Sequence, residues 1–144
     1  MSDFLEIIDS REKVERLQVE LSRLPQYEPE TKHYFHGGMY CREVYRDAGV
    51  LVVGKVHKKE HFYLIVSGLV RITSDNGVIE AGSGTLMLSK PVTKRAVLAL
   101  EPTVCMTFHR TDSVTVEEAE KELVEEDDHS MYLTGNVRKL EVLS

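Results

Sequence analysis

The sequence predicts a mainly β protein, a small barrel or jelly roll with a helical arm before it and a helix plus an apolar tail after it. Three observations carry that prediction. Between Tyr34 and Thr111, short runs alternate apolar and polar residues with the period of two that places one side of a strand on a core. Gly- and Asp-containing turns separate these runs at short intervals, which gives about eight strands. On both sides of this region the apolar spacing changes to that of a helix.

Residues 1–28 read as the arm. Ile7, Ile8, Val14, Leu17, Leu21 and Leu24 fall at helical spacing from Phe4 to Leu24, and Pro25 ends the helix. The apolar stripe is expected to pack on its own domain, or alternatively on another subunit. Tyr27 to Lys32, with Pro29, reads as an extended linker. The barrel is expected over residues 33–111. Its strands are Met39 to Tyr45, Val50 to His57, His61 to Ile65, Leu69 to Thr73, Thr85 to Leu88, Thr93 to Leu100 and Thr103 to His109, with Asp75-Asn76-Gly77 as a hairpin turn. Residues 112–144 form the last part. Thr115-Val-Glu-Glu118 is a capping box that starts a helix with a solvated acidic face, and Met131 to Leu143 is apolar enough to dock.

The 144 residues, 42% of them hydrophobic, suffice for one domain with a core. The net charge of -6 argues against nucleic acid, whose phosphates demand Lys and Arg. That acidity is local: residues 117–128 hold eight acids and one lysine, a net of -7, which leaves the rest of the chain at +1. No apolar run approaches the length of a membrane helix, and the first residues lack the pattern of a signal peptide. Cys41 and Cys105 lie far apart and outside any metal-binding spacing, so both are expected as buried, unpaired thiols in a reducing cytoplasm.

One segment carries residue types suited to chemistry. Period two puts Lys55 and His57 on one face of a strand, and His61, Tyr63 and Ile65 on one face of the next. A reversal at Lys58 to Glu60 would bring His57 and His61 to one point. Imidazoles suit Zn, Fe, Ni or Cu, the expected ion is Zn, Fe, Ni or Mn, and a third ligand could be His109, which shares a face with Cys105 and Thr107, or Glu60. The same histidines also fit a metal-free barrel as hydrogen-bonded wall residues. His33, His36 and His129 are assigned to loops. Lys94 and Arg95 alternate, so only one of them faces the interior unless a bulge intervenes.

Gly49 to Gly68 resembles the first motif of the cupin superfamily, in which two histidines and a glutamate lie between glycines. Aligned so, Lys55 takes the place of the first His, His57 the second, His61 the Glu, and Gly68 the last glycine. Ser89-Lys-Pro-Val-Thr-Lys94 is similar to the second motif, with Lys94 at its His. The combination of Leu24-Pro25-Gln26, Gly54-Lys-x-His-Lys-x-x-His61, Lys94-Arg95 and His109 looks like a group of small cupin-like proteins of bacteriophages. The resemblance implies a cupin-type jelly roll, a double-stranded β-helix, over about residues 35–109. Ammonium groups at two ligand positions would repel a dication unless an anion intervened.

Three functions are compatible with these residues. The first is binding, with His57, His61 and His109 for a divalent metal and Lys55, Tyr63, Lys94 and Arg95 for a small anion. The second is a metal-dependent dioxygenase or isomerase in which Tyr63 or Lys55 moves protons. The third is an assembly module of a phage particle. A homo-oligomer in the cytoplasm of a bacterial host, or built into a virion alongside phage structural proteins, is expected.

Overall fold

The computed structural model describes residues 11–21, 23, 29–74 and 77–125. Helix α1 (Arg11–Leu21) is followed by nine strands: β1 (Glu30–His36), β2 (Met39–Arg46), β3 (Leu51–Val53), β4 (His61–Ser67), β5 (Leu69–Ser74), β6 (Gly77–Gly82), β7 (Leu86–Ser89), β8 (Ala96–Ala99) and β9 (Thr103–Arg110). Helix α2 (Val116–Leu123) closes the described chain. All strand pairs are antiparallel, in a five-stranded sheet ordered β1-β2-β9-β4-β7 and a four-stranded sheet ordered β3-β8-β5-β6. The two sheets enclose Tyr63, Ile65, Val70, Ile72, Ala81, Val97 and Cys105. This is the jelly roll the alternation predicts. Among the described residues no helix is long and apolar enough to cross a membrane.

Helix α1 lays Val14, Leu17 and Leu21 on Val52, Val53, Ala96 and Leu98, so the arm packs on its own four-stranded sheet. Covered by α1 outside and by the barrel core inside, Ala96 to Ala99 are all buried. That explains why this strand reads as a continuous apolar run without alternation. Helix α2 begins as expected, with the Thr115 hydroxyl accepting from the Glu118 N–H at 3.2 Å. It buries Ala119 and Leu123 against Tyr40. The apolar tail expected from Met131 to Leu143, and His129, lie outside the described residues, as do Ile7, Ile8 and Leu24.

Two stretches differ from expectation. The segment read as a linker and loop is strand β1, paired with β2 from Glu30↔Tyr45 to His36↔Met39, so His33 and His36 are strand residues. Gly37 and Gly38, with φ of 57° and 79°, make the two-residue turn that lets this hairpin close, and partner pairing outweighs the weak local pattern. The strand expected from Val50 to His57 stops at Val53. The Gly54 N–H then turns to the Arg95 carbonyl at 3.0 Å, and His57 pairs with Val124 instead.

Gly68 separates β4 from β5 at φ 93°, where a Cβ would lie 2.5 Å from the Pro102 carbonyl oxygen and 2.7 Å from the Thr103 hydroxyl. Gly68→Ala combines left-handed strain with a backbone clash. It is expected to cost roughly 3 kcal/mol or more, read as a lower urea midpoint; an unchanged midpoint would contradict this reading of the turn.

Candidate metal centre

His57 follows β3, held by two backbone anchors: its carbonyl accepts from the Val92 N–H at 3.0 Å, and it pairs with Val124 after α2. Val92 adopts φ 62°, a strained conformation for a β-branched residue and a mark of an over-determined loop. His61 opens β4 and His109 lies near the end of β9, both on the inward face. The tight reversal at Lys58 to Glu60 brings the His57 and His61 rings to 4.2 Å between centroids. His109 stacks on both, at 5.3 Å from His57 and 4.6 Å from His61.

One ring nitrogen from each histidine lies within 4.8 Å of the others. Zinc bonded at 2.0–2.1 Å holds such nitrogens roughly 3.4 Å apart, a difference that side-chain rotation closes. His61 Nδ1 is buried without a hydrogen-bond partner, an unfavourable state that a metal bond at that nitrogen would relieve. His109 Nε2 is fixed on the Thr107 hydroxyl at 2.8 Å, which orients its ring. The donor set therefore fits a transition metal. Glu60, the other expected third ligand, is not in the cluster.

All three imidazoles are held neutral. Burial lowers His57 well below the usual histidine value, with the His61 and His109 rings and then Arg42 adding to it. Burial, then Arg95 and Arg42, takes His61 to about 4; burial, then His61 and Arg42, takes His109 to about 3. Neutral imidazole is the ligating form. Below about pH 6.5 an unfolded chain protonates these rings while the folded chain does not, so acid favours unfolding. Metal-stripped protein is expected to lose stability from roughly pH 6.5 down to roughly pH 4, by up to about 1.4 kcal/mol per pH unit for each histidine. A denaturant midpoint that stayed level over that window would refute the neutral triad.

A cavity of about 120 Å³ opens beside the histidines. His57, His61, Lys55, Tyr63 and Arg95 line it, whereas Lys94 is buried outside the lining. Of the alternating pair, Arg95 is the inward residue, bonded to the Ser89 hydroxyl at 3.1 Å and the Thr73 carbonyl at 2.5 Å. Tyr63 accepts from Arg46 at 3.3 Å, and burial pushes its phenol up to about 12, so it is a proton donor and not a base at neutral pH.

Three charged lining residues were not singled out from the sequence. Arg42 and Arg46 share the inward face of β2 with Tyr40 and Val44, and that period of two was the available signal. Glu120 was hidden in the acidic run of α2. It receives Arg42 at 2.7 Å, the two side chains being only 11% and 13% exposed, and Arg42 also donates to the Tyr40 hydroxyl at 3.0 Å. The lining thus carries Lys55, Arg42, Arg46 and Arg95 against one carboxylate.

No protein-family model matches the sequence, and neither does any curated protein. Solved structures do match the fold. KdgF from Halomonas sp. superposes with a TM-score of 0.53 at 14% identity, over 61% of this chain and 84% of that one. A cupin superfamily protein from Desulfitobacterium hafniense gives 0.51 at 14% identity, over 65% and 87%. Salicylate 1,2-dioxygenase from Pseudoaminobacter salicylatoxidans gives 0.55 at 10% identity, over 78% of this chain and 33% of that one. The barrel shares its fold with these structures, one of them a cupin superfamily protein.

Proposed function

We propose that this chain, a protein with the cupin fold, binds a divalent transition metal through His57, His61 and His109 and holds a small anion beside it. The observation that carries the proposal is the clustering of three neutral, largely buried imidazoles, one with an unpartnered Nδ1. The metal would supply Lewis acidity at open coordination positions. The protein's own contribution is charge: four cationic side chains face one carboxylate in the cavity, a surplus that disfavours a bare dication and favours an anion with it. At about 120 Å³ the cavity is smaller than sites for drug-sized ligands, roughly 300–1,000 Å³, so a ligand of few atoms fits and a nucleotide does not.

The test begins with elemental analysis of untagged protein, where about one metal ion per chain is expected. Calorimetric titration with small carboxylates and inorganic phosphate follows. Binding is expected to need the metal and to weaken about tenfold or more in Lys55→Met, the value of one charge-assisted hydrogen bond. If no anion in the set binds metal-loaded protein better than about millimolar, the anion half of the proposal fails.

Glu120 supports a second reading as a metal-dependent enzyme, a dioxygenase or isomerase, because a carboxylate in the cavity can accept a proton where Tyr63 cannot. Turnover of a bound acid would favour it over binding alone. The narrower sequence resemblance supports a phage-encoded protein acting in the host cytoplasm, with a role in the particle as the structural alternative.

A further inference from the structure

The two sheets differ in what covers their outer faces. Helix α1 lies on the four-stranded sheet. The outer face of the five-stranded sheet instead shows exposed Tyr34, Met39, Phe62, Val66, Leu86 and Leu88. Strand register places Tyr34, Phe62, Leu86 and Leu88 in two adjoining rows. Leu88 pairs with Phe62, Phe62 with Phe108, Phe108 with Cys41, and Cys41 with Tyr34, one row across all five strands. A second row joins Leu86, Leu64 and Met106, then ends in the oppositely charged pair Glu43 and Lys32 on β2 and β1. Strands β9, β4 and β7 thus present an apolar side of the face, and β1 and β2 a partly charged side. A contiguous apolar patch rimmed by polar residues marks a surface for interaction.

We infer that the outer face of the five-stranded sheet is the surface through which two copies of this chain pair. Size supports a second copy as the occupant. Five strands about 4.8 Å apart and about seven residues long give roughly 24 by 24 Å, so roughly 600 Å² before side-chain relief, close to the roughly 800 Å² per partner of a stable complex. Charge allows it as well: the face carries both signs, Lys32 beside Glu43 on β1 and β2 and Arg110 at the end of β9 bonded to Asp112 at 2.9 Å, so a face meeting its own copy meets no single-sign field. The apolar stripe of α1 is already engaged on its own sheet, so the described arm does not compete for the role.

The full chain is expected to sediment as a dimer at micromolar concentration. Phe62→Lys combined with Leu88→Glu puts an opposite-charge pair directly across β4 and β7, which keeps the sheet while making the face polar; this variant is expected to sediment as a monomer. Cys41 provides a readout in unaltered protein, because its free thiol lies in the apolar row. Its rate of alkylation is expected to fall several-fold as concentration rises through the dimer range. A wild type that stays monomeric to roughly 100 μM overturns the inference. So does a double variant that remains dimeric, or a Cys41 rate independent of concentration, the result if residues 126–144 of the same chain cover the face.

Discussion

His61→Ala and His109→Ala are each expected to abolish metal binding, taking elemental analysis from about one ion per chain to background. Loss of a residue that merely orients a metal ligand costs about 10- to 100-fold in affinity, so loss of one of only three ligands should exceed that range. The two sites test the geometry differently. His61 brings the unpartnered Nδ1, and His109 brings a ring fixed by Thr107. His36→Ala is the control, since that residue is exposed on β1 and outside the cluster. Equal metal content in all three variants and wild type would remove the metal from the proposed function.

Arg42→Met is expected to destabilise the protein by about 3–5 kcal/mol, the usual cost of removing one partner of a buried ion pair. Glu120 would keep its burial and lose the guanidinium 2.7 Å away. Arg42→Met with Glu120→Gln removes the remaining buried charge and should recover part of that loss. Urea unfolding of the three proteins measures both effects. If the single variant loses less than about 1 kcal/mol, the pair behaves as an exposed one and the cavity wall is wetter than its burial indicates.

The barrel was legible because its strands bury one face, with alternation clearest in His61 to Ile65. Strand β1 was not, because Glu30 to His36 carries mostly polar or half-buried residues and becomes a strand through pairing with β2. At the site, the short spacing from His57 to His61 and the alternation on β9 anticipated which rings the fold brings together. Arg42 and Glu120 meet across 78 residues, a distance over which neither period nor turn chemistry speaks. An acidic helix looks the same in sequence whether an acid faces solvent or a cavity. Only the docking of Ala119 and Leu123 on Tyr40 decides which one turns inward.

The end of α2 also sets the order of events at birth. His57 pairs with Val124, the Lys58 N–H bonds the Leu123 carbonyl at 2.7 Å, and the Glu125 N–H bonds the Val56 carbonyl at 2.9 Å, so both neighbours of the first histidine wait for the last described residues. At about 5–20 residues per second, ribosomal synthesis from His57 to Val124 takes roughly 3–13 s. Throughout that interval the nascent chain carries its imidazoles without the segment that holds His57 in place. On the proposed function, ion capture follows synthesis of α2, and a chain terminated before α2 would lack the segment that anchors His57.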